Sequence, residues 1–210
     1  MDDDRTLFLL WREGDRQAGS VLLERHLRSL HRFFGNKLSS FHELEELVQQ
    51  TMVASVDASA RFRGEGSFRA FLLGIARNVL LKHLRDRKTH QEFDSSAVSV
   101  ADCGQGLGVG LDAKREQRLL LEALRYIPVD DQVVLELSYW ESMTAPQIAE
   151  VLEETVPAVR ARLRRATGRL RAAMQTLAAE PALLQSTTDD LDRWAASLQG
   201  YWDPGGRGPG

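Results

Sequence analysis

The chain has 210 residues, and its 27 Lys and Arg against 30 Asp and Glu give a formal net charge of −3, which argues against a polycation that coats nucleic acid along its whole length. Hydrophobic residues make up 43% of the chain and charged residues 27%, so the chain can bury a core and is not disordered throughout. The one cysteine, Cys103, excludes an internal disulfide framework and fits a reducing cytosol. No apolar run reaches the roughly 20 residues that a bilayer span needs, and the acidic residues 2–4 are unlike a signal peptide. We therefore expect a cytoplasmic protein without membrane insertion.

The average charge hides blocks of opposite sign. Residues 61–88 contain eight Lys or Arg and two acids, a local net charge of +6, and residues 156–174 contain six arginines and no acid. Residues 40–60 contain four acids and residues 130–154 contain seven, and neither block has a Lys or Arg. Such segregation indicates separate surfaces for partners of different charge.

Apolar residues recur at helical spacing through the first part of the chain. Residues 7–34 predict helix on either side of a break at residues 14–19, and residues 44–52 predict a further helical segment. Ser67 stands where an N-cap is expected, and it predicts a helix from Phe68 to about Arg87.

Residues 93–111 have a different composition, with four glycines, three serines and no periodicity, which predicts a flexible linker. Beyond it the pattern predicts a helix from near Asp112 to just before Pro128, and then helices over about 130–140, 144–152 and 156–179. No segment alternates like a strand. The prediction is an all-α fold with two small helical modules joined by a flexible linker.

The stretch 144–171 predicts a helix-turn-helix. Ile148, Ala149 and Leu152 form an apolar face on one helix, and Thr155 is placed to cap the next. On that second helix the predicted buried stripe consists of Val159, Leu163, Ala166 and Leu170. Successive side chains on a helix are rotated by about 100°, which places the arginines on either side of an outward face with small residues. This pattern is typical of a recognition helix that binds in a DNA groove.

A solvated surface helix is the alternative interpretation of the arginine-rich helix. Like charges at i, i+4 repel by a few tenths of a kcal/mol per pair, so six arginines without an acid favour an anionic partner. Guanidinium groups bind phosphates, and they also bind guanine O6 and N7 in a bidentate manner. DNA binding is therefore the favoured interpretation.

A second informative stretch places an acidic helix before a basic one. Residues 43–50 are acidic, whereas the helix that begins at Phe68 carries basic residues and has Phe62 and Phe71 near its start. Aromatic residues among basic ones suit contacts to single-stranded or melting DNA, in which bases stack or flip into pockets. For any single phenylalanine, a place in a small core is the alternative.

Three stretches together indicate a family. They are residues 45–51 (EELVQQT), residues 62–72 (FRGEGSFRAFL) with their continuation to Arg85, and residues 127–166, which include IAEVL at 148–152 and VRARLRRA at 159–166. These stretches resemble regions 2 and 4 of bacterial RNA polymerase sigma factors of the extracytoplasmic-function (ECF) group. Their order, their spacing and the linker between them all agree with that family, over roughly residues 5–180.

The resemblance implies roles for particular residues. The helix at 43–52 corresponds to the surface that docks on the β′ clamp helices of core polymerase, with candidate contacts Glu43, Glu46, Leu47, Gln49 and Gln50. The segment 61–87 corresponds to the part that recognises and melts the minus-10 element, with candidates Phe68, Arg69, Arg77, Asn78, Lys82 and Arg85. The recognition helix corresponds to the reader of the minus-35 element, with candidates Arg160, Ala161, Arg164 and Arg165. Glu153 stands where the family's turn often has Gly, and it predicts a left-handed or altered turn.

The expected domains are a region 2-like module (1–92), a linker (93–113), a region 4-like module (114–180) and an acidic extension (181–210). The resemblance implies core polymerase (β′ and β subunits), promoter DNA and an anti-sigma factor as partners. No cofactor, metal site or enzymatic activity is expected, because no His, Cys or carboxylate cluster has suitable spacing. The alternative function is a free-standing helix-turn-helix repressor or activator. It would bind duplex DNA alone and would not support initiation by core polymerase.

Overall fold

The computed structural model describes residues 3–38, 40–59, 67–87, 94–101 and 115–177. Within these ranges the chain forms eight α-helices and no strand, which confirms the all-α prediction. The helices are α1 (Asp4–Arg12), α2 (Arg16–Gly35), α3 (Phe41–Ala58), α4 (Phe68–Arg87), α5 (Arg115–Tyr126), α6 (Val129–Tyr139), α7 (Ala145–Leu152) and α8 (Val156–Leu177). The acidic extension at 181–210 and most of the predicted linker lie outside the described residues.

The helix starts follow local capping signals. Asp3 accepts a hydrogen bond from the Thr6 amide at 2.7 Å, and Asp15 caps α2 in the same way. Ser40 and Glu43 form a reciprocal capping box at the start of α3, with both hydrogen bonds at 3.1 Å. These side chains satisfy amides that have no partner within the helix, which is why the starts are readable from the sequence.

The predicted break at residues 14–19 is only three residues long. Gly14 has φ of +105°, a conformation open to glycine, and α2 already begins at Arg16. Gly19 therefore lies inside α2 rather than in the break. Its role is close packing, because a Cβ atom at this position would lie 2.6 Å from Cδ1 of Trp11 on α1.

In the second module, α6 is the central helix. All its residues from Val129 to Leu137 are buried, including the charged Asp130, Asp131 and Glu136. The helices α5, α7 and α8 pack around it. Four of the seven acids of the 130–154 block are buried, and each buried carboxylate needs a cationic or hydrogen-bonding partner.

Part of the predicted flexible linker is anchored. Val100 is buried, Ser99 pairs with Pro128 in an isolated β-bridge, and the hydroxyl of Ser95 donates to Asp130 Oδ2 at 2.8 Å. The glycine-poor start of the predicted linker thus belongs to the folded structure. Its four glycines lie outside the described residues.

The two modules pack against each other in the structure. Helix α4 lies on α7, and buried residues of both modules join one hydrophobic cluster. Asn36 Nδ2, just after α2, donates to the Leu121 carbonyl of α5 at 3.0 Å. Next to it, the buried Lys37 ammonium forms an ion pair with Glu136 of α6. Nothing in the sequence pattern predicted this contact between modules.

Candidate nucleic-acid interface

The helices α7 and α8 form the predicted helix-turn-helix. Thr144 and Gln147 make a capping box at the start of α7, and Ile148, Ala149 and Leu152 are buried as predicted. The Ala158 amide donates to Thr155 Oγ1 at 3.4 Å, so Thr155 caps α8. Val159, Ala166 and Leu170 are buried, and Leu163 is partly buried against the core. The apolar stripe thus fixes which face of α8 points outward.

The turn between these helices has the predicted left-handed residue. Glu153 has φ of 56° and ψ of 38°, and the next amide, that of Glu154, donates to the Ala149 carbonyl at 3.0 Å. This conformation ends α7 at Leu152 and satisfies a carbonyl of its last turn. A side chain at a left-handed position is unfavourable by about 1 kcal/mol relative to glycine.

Five of the six arginines of α8 divide into two groups. Arg162 and Arg169 point toward acids of the same module: Arg162 Nη2 lies 2.5 Å from Oε1 of the partly buried Glu154, and Arg169 Nη1 lies 2.5 Å from Oδ2 of the buried Asp131. Arg162 Nη1 also lies 3.8 Å from Asp130 Oδ2. These two side chains therefore hold α8 to the rest of its module, a role that the sequence analysis missed because the acids lie in other elements.

The second group faces solvent. Arg160, Arg164 and Arg165 are exposed, and none of them forms an ion pair with any residue that the structure describes. Ala161 lies between Arg160 and Arg164 in the sequence and is partly buried, and its small side chain projects little from the helix. The four candidate residues for duplex readout thus share the outward side of α8. A cationic face with a small residue at its centre can approach a DNA groove closely.

The candidate residues of α4 are not all on the surface. Phe68 is only 3% exposed, and its ring lies 6.0 Å from that of Phe8, 5.6 Å from His26 and 5.8 Å from Phe71. Phe68 is therefore a core residue in this structure, which was the alternative interpretation of a phenylalanine in this stretch. Its buried ring cannot stack on a DNA base in this conformation. The placement follows from α1, whose aromatic residues close over the start of α4.

Two of the α4 arginines are paired with the second module. Arg69 forms an ion pair with Glu141, and Arg77 Nη2 lies 3.0 Å from Asp130 Oδ1. The side chains of Arg69 and Arg77 are 30% and 17% exposed. The remaining candidates Asn78, Lys82 and Arg85 are exposed. The structure thus leaves three of the six candidate minus-10 residues open to solvent.

The candidate docking helix α3 presents a mostly polar surface. Glu46, Gln49 and Gln50 are exposed and form one open surface of α3 together with Val53, Ala54 and Asp57. Val53 is 64% exposed, an apolar contact that the sequence analysis did not include. Its exposure could have been found from helical spacing, because Val53 lies four residues after Gln49.

Two candidates for docking have structural roles. Leu47 is only 1% exposed and belongs to the core, so it cannot reach a partner while the module is folded. Glu43 is partly buried, completes the capping box with Ser40 and lies 2.8 Å from Arg87 Nη1 of α4. Leu47 is therefore removed from the docking surface, and Glu43 mainly joins α3 to α4.

Buried ionisable groups lie near the contact between modules. Burial lowers the pKa of Lys37 and raises the pKa of Glu136, because each charged form loses hydration, while their mutual attraction opposes both shifts. Burial also lowers the pKa of His26, although the Asp4 carboxylate, 2.7 Å from its Nε2 atom, opposes that shift. These groups lie in the interior of the fold and outside the exposed faces of α3 and α8.

Among the described residues, no group of three or more His, Cys, Asp or Glu side chains is arranged to hold a metal ion. Within the same ranges, none of the helices has the length and apolar character that crossing a membrane requires.

Two family models match the chain. The model for sigma-70 region 2 matches residues 22–90, and the model for sigma-70 region 4 matches residues 117–178. The first match contains α3, α4 and most of α2, and the second contains α6, α7 and α8 with most of α5. The two modules predicted from the sequence therefore correspond to two regions of the same family, in the same order.

Curated relatives match over most of their length. The RNA polymerase sigma-H factor of Pseudomonas aeruginosa is 25% identical over 85% of this chain and 97% of its own. The RNA polymerase sigma factor CnrH of Cupriavidus metallidurans is 29% identical over 81% of this chain and 94% of its own. The ECF RNA polymerase sigma factor SigM of Mycobacterium tuberculosis is 25% identical over 75% of this chain and 77% of its own.

Solved structures show the same fold. CnrH in complex with the cytosolic domain of CnrY matches with a TM-score of 0.58 and 25% identity, covering 84% of this chain and all of that one. The sigma factor RpoE of Bartonella quintana, in complex with the anti-sigma factor NepR, matches with a TM-score of 0.56 and 18% identity over 74% of this chain.

Proposed function

The chain belongs to the ECF group of bacterial RNA polymerase sigma factors, and we propose that its exposed helix faces divide promoter recognition among α3, α4 and α8. It is a promoter-recognising sigma factor, which directs RNA polymerase to promoter DNA. The proposal assigns duplex readout to α8, capture of the melting strand to α4 and docking on core polymerase to α3. Acting with polymerase in the cytoplasm, it serves as a specificity subunit and not as an enzyme.

The observation that carries this proposal is the division of the α8 arginines. Arg162 and Arg169 are paired with acids of the same module, whereas Arg160, Arg164 and Arg165 are exposed and form no ion pair with the described residues. An unneutralised cationic face is costly on its own and becomes favourable when an anionic partner binds. We therefore assign contacts with the minus-35 element to Arg160, Arg164 and Arg165, with Ala161 allowing close approach.

For the minus-10 element we propose fewer DNA-contacting residues than the sequence analysis did. Asn78, Lys82 and Arg85 are exposed on α4 and can reach DNA directly. Arg69 and Arg77 can contribute only after their ion pairs with the second module are released. Phe68 supports the start of α4 from within the core.

For polymerase docking we propose Glu46, Gln49 and Gln50, with Val53 as an apolar contact. The block 40–60 has no Lys or Arg, so this face is complementary to a basic partner. The candidate partner is the β′ clamp helices, with the β subunit as a further contact of the polymerase. An exposed valine beside the acidic face adds apolar area at the centre of the contact.

We propose the same domain division as the sequence indicated, with modules at 1–92 and 114–180, a linker at 93–113 and an extension at 181–210. Two structurally similar sigma factors were solved in complex with CnrY and with the anti-sigma factor NepR. This similarity supports an anti-sigma factor as a further partner of the chain.

Transcription assays with purified components test the proposal. The full chain is added to core polymerase with a promoter library, and the starting sequences of the transcripts are read. We expect initiation only when both proteins are present, from promoters that share an upstream and a downstream element. DNA binding by the chain without any initiation would instead identify a repressor or activator of the helix-turn-helix type.

A further inference from the structure

The outward face of α8 carries three arginines that form no ion pair with the described residues. Arg160, Arg164 and Arg165, named the arginine face below, are exposed, and the acids that hold Arg162 and Arg169 do not reach them. Positive charges grouped in this way repel one another and attract anions. An anionic segment of the same chain would therefore compete with DNA phosphates for the arginine face.

The acids closest in sequence to α8 are already engaged. Four acids of the 130–154 block are buried, and each of them forms an ion pair: Asp130 with Arg77, Asp131 with Arg169, Glu136 with Lys37 and Glu141 with Arg32. Glu154 pairs with Arg162. These five carboxylates are committed to other cations, so they do not neutralise the arginine face.

The chain beyond α8 is rich in acids. Helix α8 ends at Leu177, and residues 180–203 contain five acids and one arginine, a local net charge of −4. Three of the acids, Asp189, Asp190 and Asp192, fall within four residues and are named the aspartate cluster below. They belong to the acidic extension, which lies outside the described residues. Three carboxylates thus follow three exposed guanidinium groups in the same chain.

The aspartate cluster can reach the arginine face. Arg165 lies twelve residues and Arg160 seventeen residues before Leu177, which is about 18 Å and about 26 Å along α8 at a rise of about 1.5 Å per residue. Asp189 follows Leu177 by twelve residues, and an extended chain of that length spans about 40 Å. The chain is long enough to turn back along α8 and to place its carboxylates beside the arginines.

We propose that the aspartate cluster binds the arginine face of the same chain and competes there with DNA phosphates. The inference rests on the proposed function, since it concerns the surface assigned to the minus-35 element. A carboxylate accepts hydrogen bonds from a guanidinium group as a phosphate does. The contact is intramolecular, at an effective concentration in the range of about 1 mM, whereas DNA is met from solution. The acidic extension thus lowers the affinity of α8 for duplex DNA, most strongly at low salt.

Neutralising the aspartate cluster in the full chain tests the proposal. The variant carries Asp189→Asn, Asp190→Asn and Asp192→Asn, and its affinity for a fluorescent duplex of random sequence is measured by anisotropy without polymerase. At about 50 mM salt we expect binding about fivefold tighter than in the wild type, because the apparent affinity rises with the fraction of molecules whose arginine face is free. Salt screens the contact, so the difference should shrink to less than about 1.5-fold at about 500 mM.

A matched control separates this contact from the effect of total charge. Glu13→Gln, Glu24→Gln and Glu122→Gln together remove the same number of negative charges from exposed positions elsewhere in the chain. We expect less than about a twofold change in duplex affinity, because charges more than a Debye length from the bound DNA are largely screened. Tightening in this control as large as in the aspartate variant would overturn the proposal.

A distance measurement reports the contact itself. Spin labels at Ala158→Cys, an exposed position near the start of α8, and at Ser186→Cys, just before the aspartate cluster, are placed in a Cys103→Ser background. We expect a population below about 25 Å that disappears when the aspartate cluster is neutralised, since α8 alone separates Ala158 from Leu177 by about 29 Å. Absence of this population in the wild-type background would overturn the proposal. Its loss on dilution with unlabelled chain would show binding to a second copy and would also overturn it.

Arg164→Ala combined with Arg165→Ala, in the same duplex assay, separates the inference from the proposed function. Weaker binding in this variant, with unchanged binding in the aspartate variant, would overturn the competition and retain α8 as the DNA-binding surface. Unchanged binding in both variants would reject the competition and the assignment of α8 together. Tighter binding in the aspartate variant, without polymerase-dependent initiation by the chain, would retain the competition and reject the proposed function.

Discussion

Asp131 on α6 accepts a hydrogen bond from Arg169 on α8 at 2.5 Å, across 38 residues of sequence. The side chain of Asp131 is only 3% exposed, so this ion pair lies at the boundary of the core rather than on the surface. Together with Arg162 and Glu154 it fixes the rotation of α8 about its own axis. The rotation in turn decides which arginines face outward and which face the module.

The first prediction separates these two groups by substitution. Arg162→Ala leaves Glu154 without its guanidinium and leaves the buried Asp130 with Arg77 alone, and we expect the free energy of unfolding to fall by about 1–3 kcal/mol. Arg164→Ala removes an exposed side chain and should change stability by less than about 0.5 kcal/mol. Urea unfolding followed by circular dichroism measures both.

In DNA binding the order of the two variants should be reversed, with the larger loss in Arg164→Ala. Arg164→Ala is expected to weaken binding to the minus-35 duplex by about 1–3 kcal/mol, and a scrambled duplex shows whether the loss is specific to sequence. An equal loss on both duplexes would identify a phosphate contact. A stability loss for Arg164→Ala as large as that for Arg162→Ala would contradict the division of the arginines.

The second prediction concerns the exposed acid of α3. Glu46→Lys reverses a charge on the proposed docking face, and we expect weaker binding to core polymerase with the fold intact. Glu24→Lys makes the same change at an exposed position on α2 and is the control. Affinity for core polymerase is measured by fluorescence anisotropy of a labelled chain. Equal affinities for the wild type and Glu46→Lys would remove Glu46 from the docking surface.

The third prediction concerns the turn of the helix-turn-helix. Glu153 has φ of 56°, so Glu153→Gly should stabilise the chain by about 1 kcal/mol, because glycine adopts this conformation without a Cβ penalty. Glu153→Ala removes the same charge but keeps the Cβ atom, and it should not give this gain. Thermal unfolding of the two variants measures the difference. Equal melting temperatures would show that the left-handed turn is not strained.

The fourth prediction concerns the buried ion pair between the modules. Lys37→Met leaves the Glu136 carboxylate buried without its cation, and we expect a loss of about 3–5 kcal/mol in the free energy of unfolding. The double variant Lys37→Met with Glu136→Leu replaces both charges by apolar groups and should recover much of that loss. A double variant as unstable as the single one would show that packing, and not the unpaired carboxylate, sets the effect.

The fifth prediction is a pH dependence from buried histidine. Burial lowers the pKa of His26 in the folded chain below its ordinary value, and burial does the same for His83. As the pH falls below about 6.5, the unfolded chain binds protons that the folded chain does not, so stability decreases. Above that pH, the contribution of the neutral His26 and His83 side chains to stability is fully present.

His26→Gln removes one of these groups and keeps a side chain that can donate to Asp4. Melting temperatures between pH 5 and pH 7.5 should therefore fall less steeply with acid in this variant than in the wild type. Identical slopes in the two proteins would show that His26 does not contribute to the acid sensitivity.

Helix positions were predictable because their signals are local. The predicted helix at 68–87 coincides with α4, Thr155 caps α8, and Glu153 forms the left-handed turn after α7 as expected. A cap or a left-handed turn depends on a few neighbouring residues, and these stand in the sequence itself. The outward position of Arg160, Arg164 and Arg165 followed from helical spacing in the same way.

The roles of several other side chains depended on distant partners. Arg77 meets Asp130 across 53 residues, and Phe68 is covered by aromatic residues of α1, so neither environment is visible in local pattern. Residues 94–101 looked like linker by composition, yet Ser95 and Ser99 contact Asp130 and Pro128 of the second module, and Val100 is buried. Contacts of this kind are set by how the modules pack, which periodicity does not report.

The most direct test of the central claim is permanganate footprinting of unpaired thymines on a promoter selected by the chain with core polymerase. We predict reactive thymines in the minus-10 element when core polymerase and the full chain are both present, and none with either protein alone. Arg164→Ala together with Arg165→Ala should reduce the signal by weakening upstream binding. Melting by core polymerase without the chain, or no melting with both proteins, would contradict the assignment of promoter recognition to this chain.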